Sequence, residues 1–258
     1  MNVLVFDIET VPDVALGRQL YNFEGLADED VVKAMLTLQR QRNGSEFLPH
    51  EQHRIVAISC VFRGRDSLRV WSLGEPDAPE SELVERFFDG IERFSPCLVS
   101  WNGTAFDLPV LHYRALKYGI QARRYWETGD EDSTFRYNNY LGRFHWRHID
   151  LMDVLSGYQA RARASLTDMA GLLGLPGKLG FSGEKVARAF QDGQIVEIRR
   201  YCETDVLNTY LIYLRFELMR GNLSRERHAE EVDRVKAMLR ASAEPHLGEF
   251  LRVWEEQS

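Results

Sequence analysis

Five residues spread over almost the whole chain constrain its fold more than any other feature: Asp7 and Glu9 in VLVFDIET, Asp107 in SWNGTAFDLPVL, and Tyr201 with Asp205 in RRYCETDVLNTYLIYL. The first pair sits in an apolar run from Val3 to Glu9 that reads as a buried strand, and the two-residue period of a strand puts both acids on one face. Like charges at that spacing repel, and each raises the other's pKa unless something positive lies between them. A divalent cation is the simplest explanation. Asn102-Gly103-Thr104 is turn chemistry and Pro109 favours a helix start, so Asp107 lies at the mouth of a helix that follows a strand, Cys97 to Trp101. Tyr201 and Asp205 are four residues apart in an apolar-periodic segment from about Ile195 to Leu218 and therefore share a helix face. Together the five read as a two-metal site acting on a phosphodiester.

These residues resemble the motifs of the DEDD superfamily of 3′-to-5′ exonucleases. Its first motif, DxE, is matched by Asp7-Ile8-Glu9, and its second is similar to the stretch from Asn102 to Asp107. Its third has a histidine and a tyrosine version, and Tyr201-Cys202-Glu203-Thr204-Asp205 fits the tyrosine form, Tyr-x3-Asp, found also in the proofreading domain of family-B DNA polymerases. More narrowly, HRIVAIS, HIDLMDVLS, the Leu-Gly-Leu-Pro-Gly-Lys stretch and YCETDVLNTYLIYLR look like the stand-alone bacterial predicted exonucleases related to that polymerase domain. A lone DxE carries no weight, whereas three motifs in order with a family-like frame are a specific signal. The resemblance covers roughly residues 1–222, which it implies are the exonuclease domain, with 223–258 a C-terminal helical extension packed on the same domain. It further implies a ribonuclease H-like αβα fold, in which a mixed five-stranded sheet is flanked by helices. It makes Asp7, Glu9, Asp107, Tyr201 and Asp205 catalytic, with the four acids as ligands of two Mg²⁺ or Mn²⁺ ions. Asn102, Phe106 and Thr10 become substrate contacts, and the substrate a single-stranded DNA or RNA 3′ end.

The chemistry explains why such residues are needed. Two divalent ions ~3.5–4 Å apart stabilise charge on both the attacking and the departing oxygen, and hard cations take carboxylate oxygens. By the resemblance, Asp7 bridges the two ions, Glu9 and Asp205 complete the first, and Asp107 reaches the second. A phenol with a reference pKa of ~10 is a poor base at neutral pH, so Tyr201 is assigned to positioning the attacking water. Each residue alone has a plainer reading: a strand-end turn for Asp7 and Glu9, a helix cap for Asp107, a half-exposed helix face for Tyr201 and Asp205. Asp150 and Asp153 in HIDLMD suit a cap or an internal ion pair. His145 and His148 lack the second pair of ligands that a zinc site needs, which leaves solvent or substrate contact. Lys178 and Lys185 meet either phosphate or water.

Charge pulls the other way. A net charge of −7 over 258 residues lacks the basic excess that usually drives phosphate binding. From His112 to Lys185, however, eleven Lys/Arg face eight Asp/Glu, against four and eight in residues 1–50. The arginines of that middle third, such as Arg136, Arg143 and Arg147, alternate with aromatics from Tyr113 and Tyr125 to Phe144 and Trp146. Such mixing suits stacking of unpaired bases at ~1–3 kcal/mol each; the plainer reading is a solvated loop with a few core aromatics. Two further readings stay open beside an active exonuclease: a nucleic-acid-binding module with dead or weak chemistry, and a phosphodiesterase confined to short oligonucleotides or RNA.

With 44% hydrophobic and 28% charged residues the chain looks like an ordinary globule. No apolar run reaches the ~20 residues of a membrane span, and the N-terminus lacks a secretory pattern. Cys60, Cys97 and Cys202 are an odd number, far apart and without CxxC, so neither a disulfide framework nor a zinc site is implied. A cytoplasmic location and no membrane partner are the expectation. Along the chain, a strand from Asn2 to Glu9 precedes a polar insertion, Val11 to about Gln52, in which Asp28 to Gln41 has helical spacing; the insertion is either a lid or surface decoration. Arg54 to Arg63 and Leu68 to Leu73 read as a hairpin, Ser81 to Phe94 and Leu108 to Tyr118 as helices, and Arg147 to Leu151 as a fifth strand. Leu166 to Leu173, Gly183 to Phe190 and Ile195 to Phe216 read as further helices. The helical tail from Ser224 to Trp254 packs either on the body or on a second copy. Pattern alone supports only mixed α/β.

Overall fold

Alternation in the first strand decides the layering of the molecule, which a computed structural model describes over residues 2–181 and 183–257. In β1 (Val3–Pro12), Val3 and Val5 join one core, and Leu4, Phe6 and Ile8 join another on the opposite face. After α1 (Val14–Tyr21) and α2 (Asp28–Asn43), β2 (His53–Arg63) and β3 (Leu68–Ser72) form an antiparallel meander with β1. The helix α3 (Glu80–Phe94) then crosses to β4 (Cys97–Ser100), which lies parallel to β1. Next come α4 (Asp107–Tyr118), the short α5 (Arg123–Trp126), and β5 (His148–Asp150), parallel to β4. The remainder is helical: α6 (Leu151–Leu155), α7 (Leu166–Leu172), α8 (Val186–Gln191), α9 (Ile195–Met219), α10 (Arg225–Ala241) and α11 (Pro245–Gln257). The strand order is β3-β2-β1-β4-β5.

This mixed five-stranded sheet with helices on both faces is the α/β arrangement of a ribonuclease H-like exonuclease domain. Leu4, Phe6 and Ile8 meet Phe87, Phe88 and Leu111 of α3 and α4; Val3, Val5 and Val99 meet Val206, Leu207 and Tyr210 of α9. Asp7 and Glu9 continue the Val3-Val5 face, so β1 aims both acids at α9. A register shift between Glu9 and Thr10 ends that alternation directly after the second acid.

Several elements differ from the sequence-based expectation. The first strand runs on to Pro12, because Thr10, Val11 and Pro12 still pair with β2 after the shift. A helix, α1, follows at once, capped by Asp13, whose side chain accepts the Leu16 N–H. Eight residues are too few for a clear apolar period. The fifth strand is only His148–Asp150, since Asp150 caps α6 and turns Leu151 into helix. The helical tail is two helices, α10 and α11, and both pack on the body: Val235, Leu239, Leu247, Phe250 and Trp254 enter the same core as α9. The aromatic stretch divides. Tyr125, Phe135 and Tyr140 are core residues, with Arg124 and Arg147 stacked on the Phe135 ring, while Trp126, Tyr137, Phe144 and Trp146 stay exposed. Among the described residues no helix is long and apolar enough to cross a membrane.

Candidate active site

The acids meet where β1 loses its parallel neighbour. Pairing between β1 and β4 stops at Val5 and Val99, and the strands then diverge, which leaves the Ile8 N–H without a strand partner. Asp107, the first residue of α4, fills the gap: its Oδ1 accepts that N–H at 3.1 Å. Ligand sites in sheets of this kind lie beyond the carboxyl ends of the strands at such a divergence. The loop that delivers Asp107 is held by Asp150, whose two carboxylate oxygens accept the N–H groups of Asn102 and Thr104, each at 2.9 Å. The same Asp150 caps α6, so its role is that of a cap that anchors the second motif.

From the other side α9 brings Tyr201 and Asp205 one turn apart, and both are buried, at 6% and 7% exposure. Glu9 and Asp107 are equally enclosed, at 8% and 4%. Burial in the company of like charges raises every one of these acids. Asp7 is pushed well above the ordinary carboxylate range by burial first, then by Asp107, Glu9 and Asp205; Glu9 likewise by burial, Asp205 and Asp107. Asp107 is raised to about 7 and Asp205 to about 6, both mainly by burial. The structure therefore brings all four acids and Tyr201 together. The Tyr201 phenol is driven far above its ordinary value by burial and by the carboxylates beside it, Asp205 foremost, and so stays protonated.

Four acids gathered this closely call for a cation, and the donor set fits one. Asp205 Oδ1 is buried without a hydrogen-bond partner, a costly state unless something else engages it. All four acids offer hard oxygen, as Mg²⁺ and Mn²⁺ prefer. One atom each from Asp7, Glu9 and Cys202 lie within 4.8 Å of one another, and of the three the Cys202 sulfur is the soft donor, the least suited to a hard cation. Its thiol is pushed well up by burial and by Asp7, so the proton stays on sulfur and is shared between the Asp7 carboxylate and backbone carbonyl, each 3.5 Å away.

Thr10, Asn102 and Phe106 line up differently. The Thr10 hydroxyl meets His53 Nδ1 at 2.8 Å, and the Phe106 ring packs with His53, Phe47 and His50 at 5.1, 5.4 and 5.8 Å between ring centroids. Asn102 is a turn residue with φ 69°, its carbonyl accepting from Ala105 and Phe106. His148, expected to face solvent or substrate, is instead tied to Ser100 Oγ at 2.8 Å and kept neutral, with its pKa lowered to about 4 by burial. His145 Nδ1 accepts the Asn139 N–H. Two further residues stand near the site: Lys178, which the sequence leaves between phosphate and water, and Asn208, which it does not single out. Lys178 lies 5.7 Å from the centroid of the Tyr201 ring, and its charge acts on both Glu9 and Asp205. It is held there by Asn208, fully buried in α9, which pairs with both backbone groups of Gly177. A buried Asn three residues beyond Asp205 on an apolar helix is the signal that could have located it.

Fold and site together are those expected of a nuclease domain. Over residues 45–254 the chain matches, and belongs to, the family of predicted 3'-5' exonucleases related to the exonuclease domain of PolB. The match takes in Asp107, Tyr201 and Asp205, while Asp7 and Glu9 precede it. DNA polymerase 1 of Sulfurisphaera ohwakuensis is 33% identical over 92 residues, 36% of this chain and 8% of the polymerase, so the likeness spans a small part of that protein.

Proposed function

We propose that the protein is a metal-dependent 3′-5′ exonuclease that removes nucleoside monophosphates from the 3′ end of single-stranded nucleic acid, DNA in preference to RNA. The convergence of four acids from β1, α4 and α9, three of them buried and Asp7 half-buried, carries this reading, and the similarity to a DNA polymerase supports DNA. Asp7, Glu9, Asp107 and Asp205 would hold two Mg²⁺ or Mn²⁺ ions. Bound there, the pair supplies charge neutralisation at the attacking and leaving oxygens and acidifies water. Tyr201 keeps its proton and so orients the attacking water as a hydrogen-bond donor rather than removing its proton. Lys178 offers a positive charge to the phosphate beside Tyr201. Phe106 presents an aromatic face for a base, with Thr10 and Asn102 near the sugar. Three buried free cysteines suit a reducing cytoplasm.

End-labelled DNA and RNA strands of several lengths, incubated with Mg²⁺, Mn²⁺ or EDTA, test the proposal. Stepwise shortening from the 3′ end, dependent on metal and absent in Asp7→Ala, is expected. Intact strands that nevertheless bind tightly would make the protein a binding module, and cleavage limited to very short oligonucleotides would make it a small phosphodiesterase.

A further inference from the structure

Between Tyr201 and Asp205, α9 carries Cys202, Glu203 and Thr204, none used by the chemistry above, and the first two reach other elements. Cys202 donates to Asp7 of β1. Glu203 points toward the sheet edge and the C-terminus: its Oε1 accepts the Ser72 hydroxyl of β3 at 2.7 Å, and its Oε2 accepts from His246 Nε2 of α11 at 2.8 Å. A carboxylate can only accept here, so His246 Nε2 carries the hydrogen. The Ser72 proton is thereby committed to Glu203, which leaves Ser59 of β2, 2.8 Å away, to donate to Ser72 Oγ. Ser59 is fully buried, and Ser72, Glu203 and His246 are nearly so. One turn earlier, Arg199 donates to the carbonyls of Ser72, Leu73 and Gly74. The middle of α9 is thus bonded to β1, to the end of β3 and to α11, and the bonds fall at the turn that bears the two site residues. Tyr201 and His246 also line one cavity.

We propose that His246 is a positioning residue of the active site, acting through Glu203 to fix the turn of α9 that presents Tyr201 and Asp205 to Asp7 and Glu9. The C-terminal helix is then part of the catalytic apparatus rather than decoration, and this inference rests on the nuclease reading above. The physical reason is leverage. Apolar packing holds a helix against a sheet but resists small sliding and rotation weakly, whereas a buried carboxylate with two directional donors fixes both. Glu203 is not one of the four candidate ligands, so His246 acts through the position of the helix turn, and a misplacement of ~1 Å caused far from the chemistry can cost on the order of 100-fold in rate.

Purified full-length wild type, His246→Ala, His246→Gln and, as a surface control, Arg240→Ala are compared by calorimetric Mn²⁺ titration, by kcat and KM on end-labelled single-stranded DNA, and by thermal unfolding. His246→Ala is expected to weaken Mn²⁺ binding and lower kcat by about 10-fold or more with KM nearly unchanged. His246→Gln, which keeps a donor for Glu203, should recover most of both, and Arg240→Ala should match wild type. The inference is overturned if His246→Ala binds Mn²⁺ and turns over as wild type does, or if its losses track a lowered melting temperature and persist in His246→Gln. A wild type that neither binds Mn²⁺ nor cleaves would instead remove the nuclease reading, and this inference with it.

Discussion

At the scale of single residues, the site stores electrostatic repulsion that a cation would relieve. Asp107 shows the balance: burial lifts its pKa to about 7, although it accepts a backbone hydrogen bond from Ile8 that by itself would lower it. In the metal-free protein the native state holds more protons than the unfolded chain between the ordinary carboxylate pKa of ~4 and about 7, so stability is lost as pH rises through that window. Asp107→Asn removes one charge and keeps an acceptor for Ile8. The variant is expected to melt above wild type in EDTA at pH 8, by on the order of 2 kcal/mol, and the gap should close as pH falls toward 4. Calorimetry across pH checks this. A variant that melts below wild type at pH 8 would show that the acids are not strained against one another. The same variant should have lost cleavage.

At the scale of elements, the turn from Ser100 to Asp107 is the part with least tolerance. Asn102 has a left-handed backbone there, and Gly103 lies so close to Ser100 that an added Cβ would sit 2.6 Å from the Ser100 Cβ. That atom cannot swing away as a long side chain would. Gly103→Ala is therefore expected to cost about 1–3 kcal/mol and to misplace Asp107, so that cleavage falls more than stability does. Chemical denaturation paired with kcat measures the two losses; a variant as stable and active as wild type would mean that the loop shifts freely. The sequence showed this turn through Asn102-Gly103-Thr104, and it showed the faces of β1 and α9 through their periods. It did not show α1, because eight residues just after a proline are too few for a clear period, nor the partition of the aromatic stretch. Whether Tyr140 is core and Tyr137 surface depends on what each ring meets after folding, and neighbouring residues of one loop carry no such label.

For the whole molecule, the question is whether residues 223–258 are separable from the rest. We propose that they are an extension packed on the exonuclease domain, and their burial bears on how firmly. Val235, Leu239, Leu247, Phe250, Leu251 and Trp254 are buried beside Tyr210, Leu211 and Leu214 of α9. At about 1.5–3 kcal/mol for each buried side chain, such a set rivals the ~5–15 kcal/mol net stability of a typical domain. A chain ending at residue 222 is expected to lose cooperative thermal unfolding and near-ultraviolet dichroism; a sharp transition in that truncation would make α10 and α11 dispensable. By itself the sequence determined the acids, their order and the face of the element on which each lies, since these depend only on local period and turn chemistry. Only the tertiary structure decided that Asp107 takes the Ile8 N–H, that Lys178 stands beside Tyr201, and that Glu203 ties α9 to β3 and α11. Those distances arise where separate elements pack, and no local pattern along the chain encodes how far apart two elements will lie.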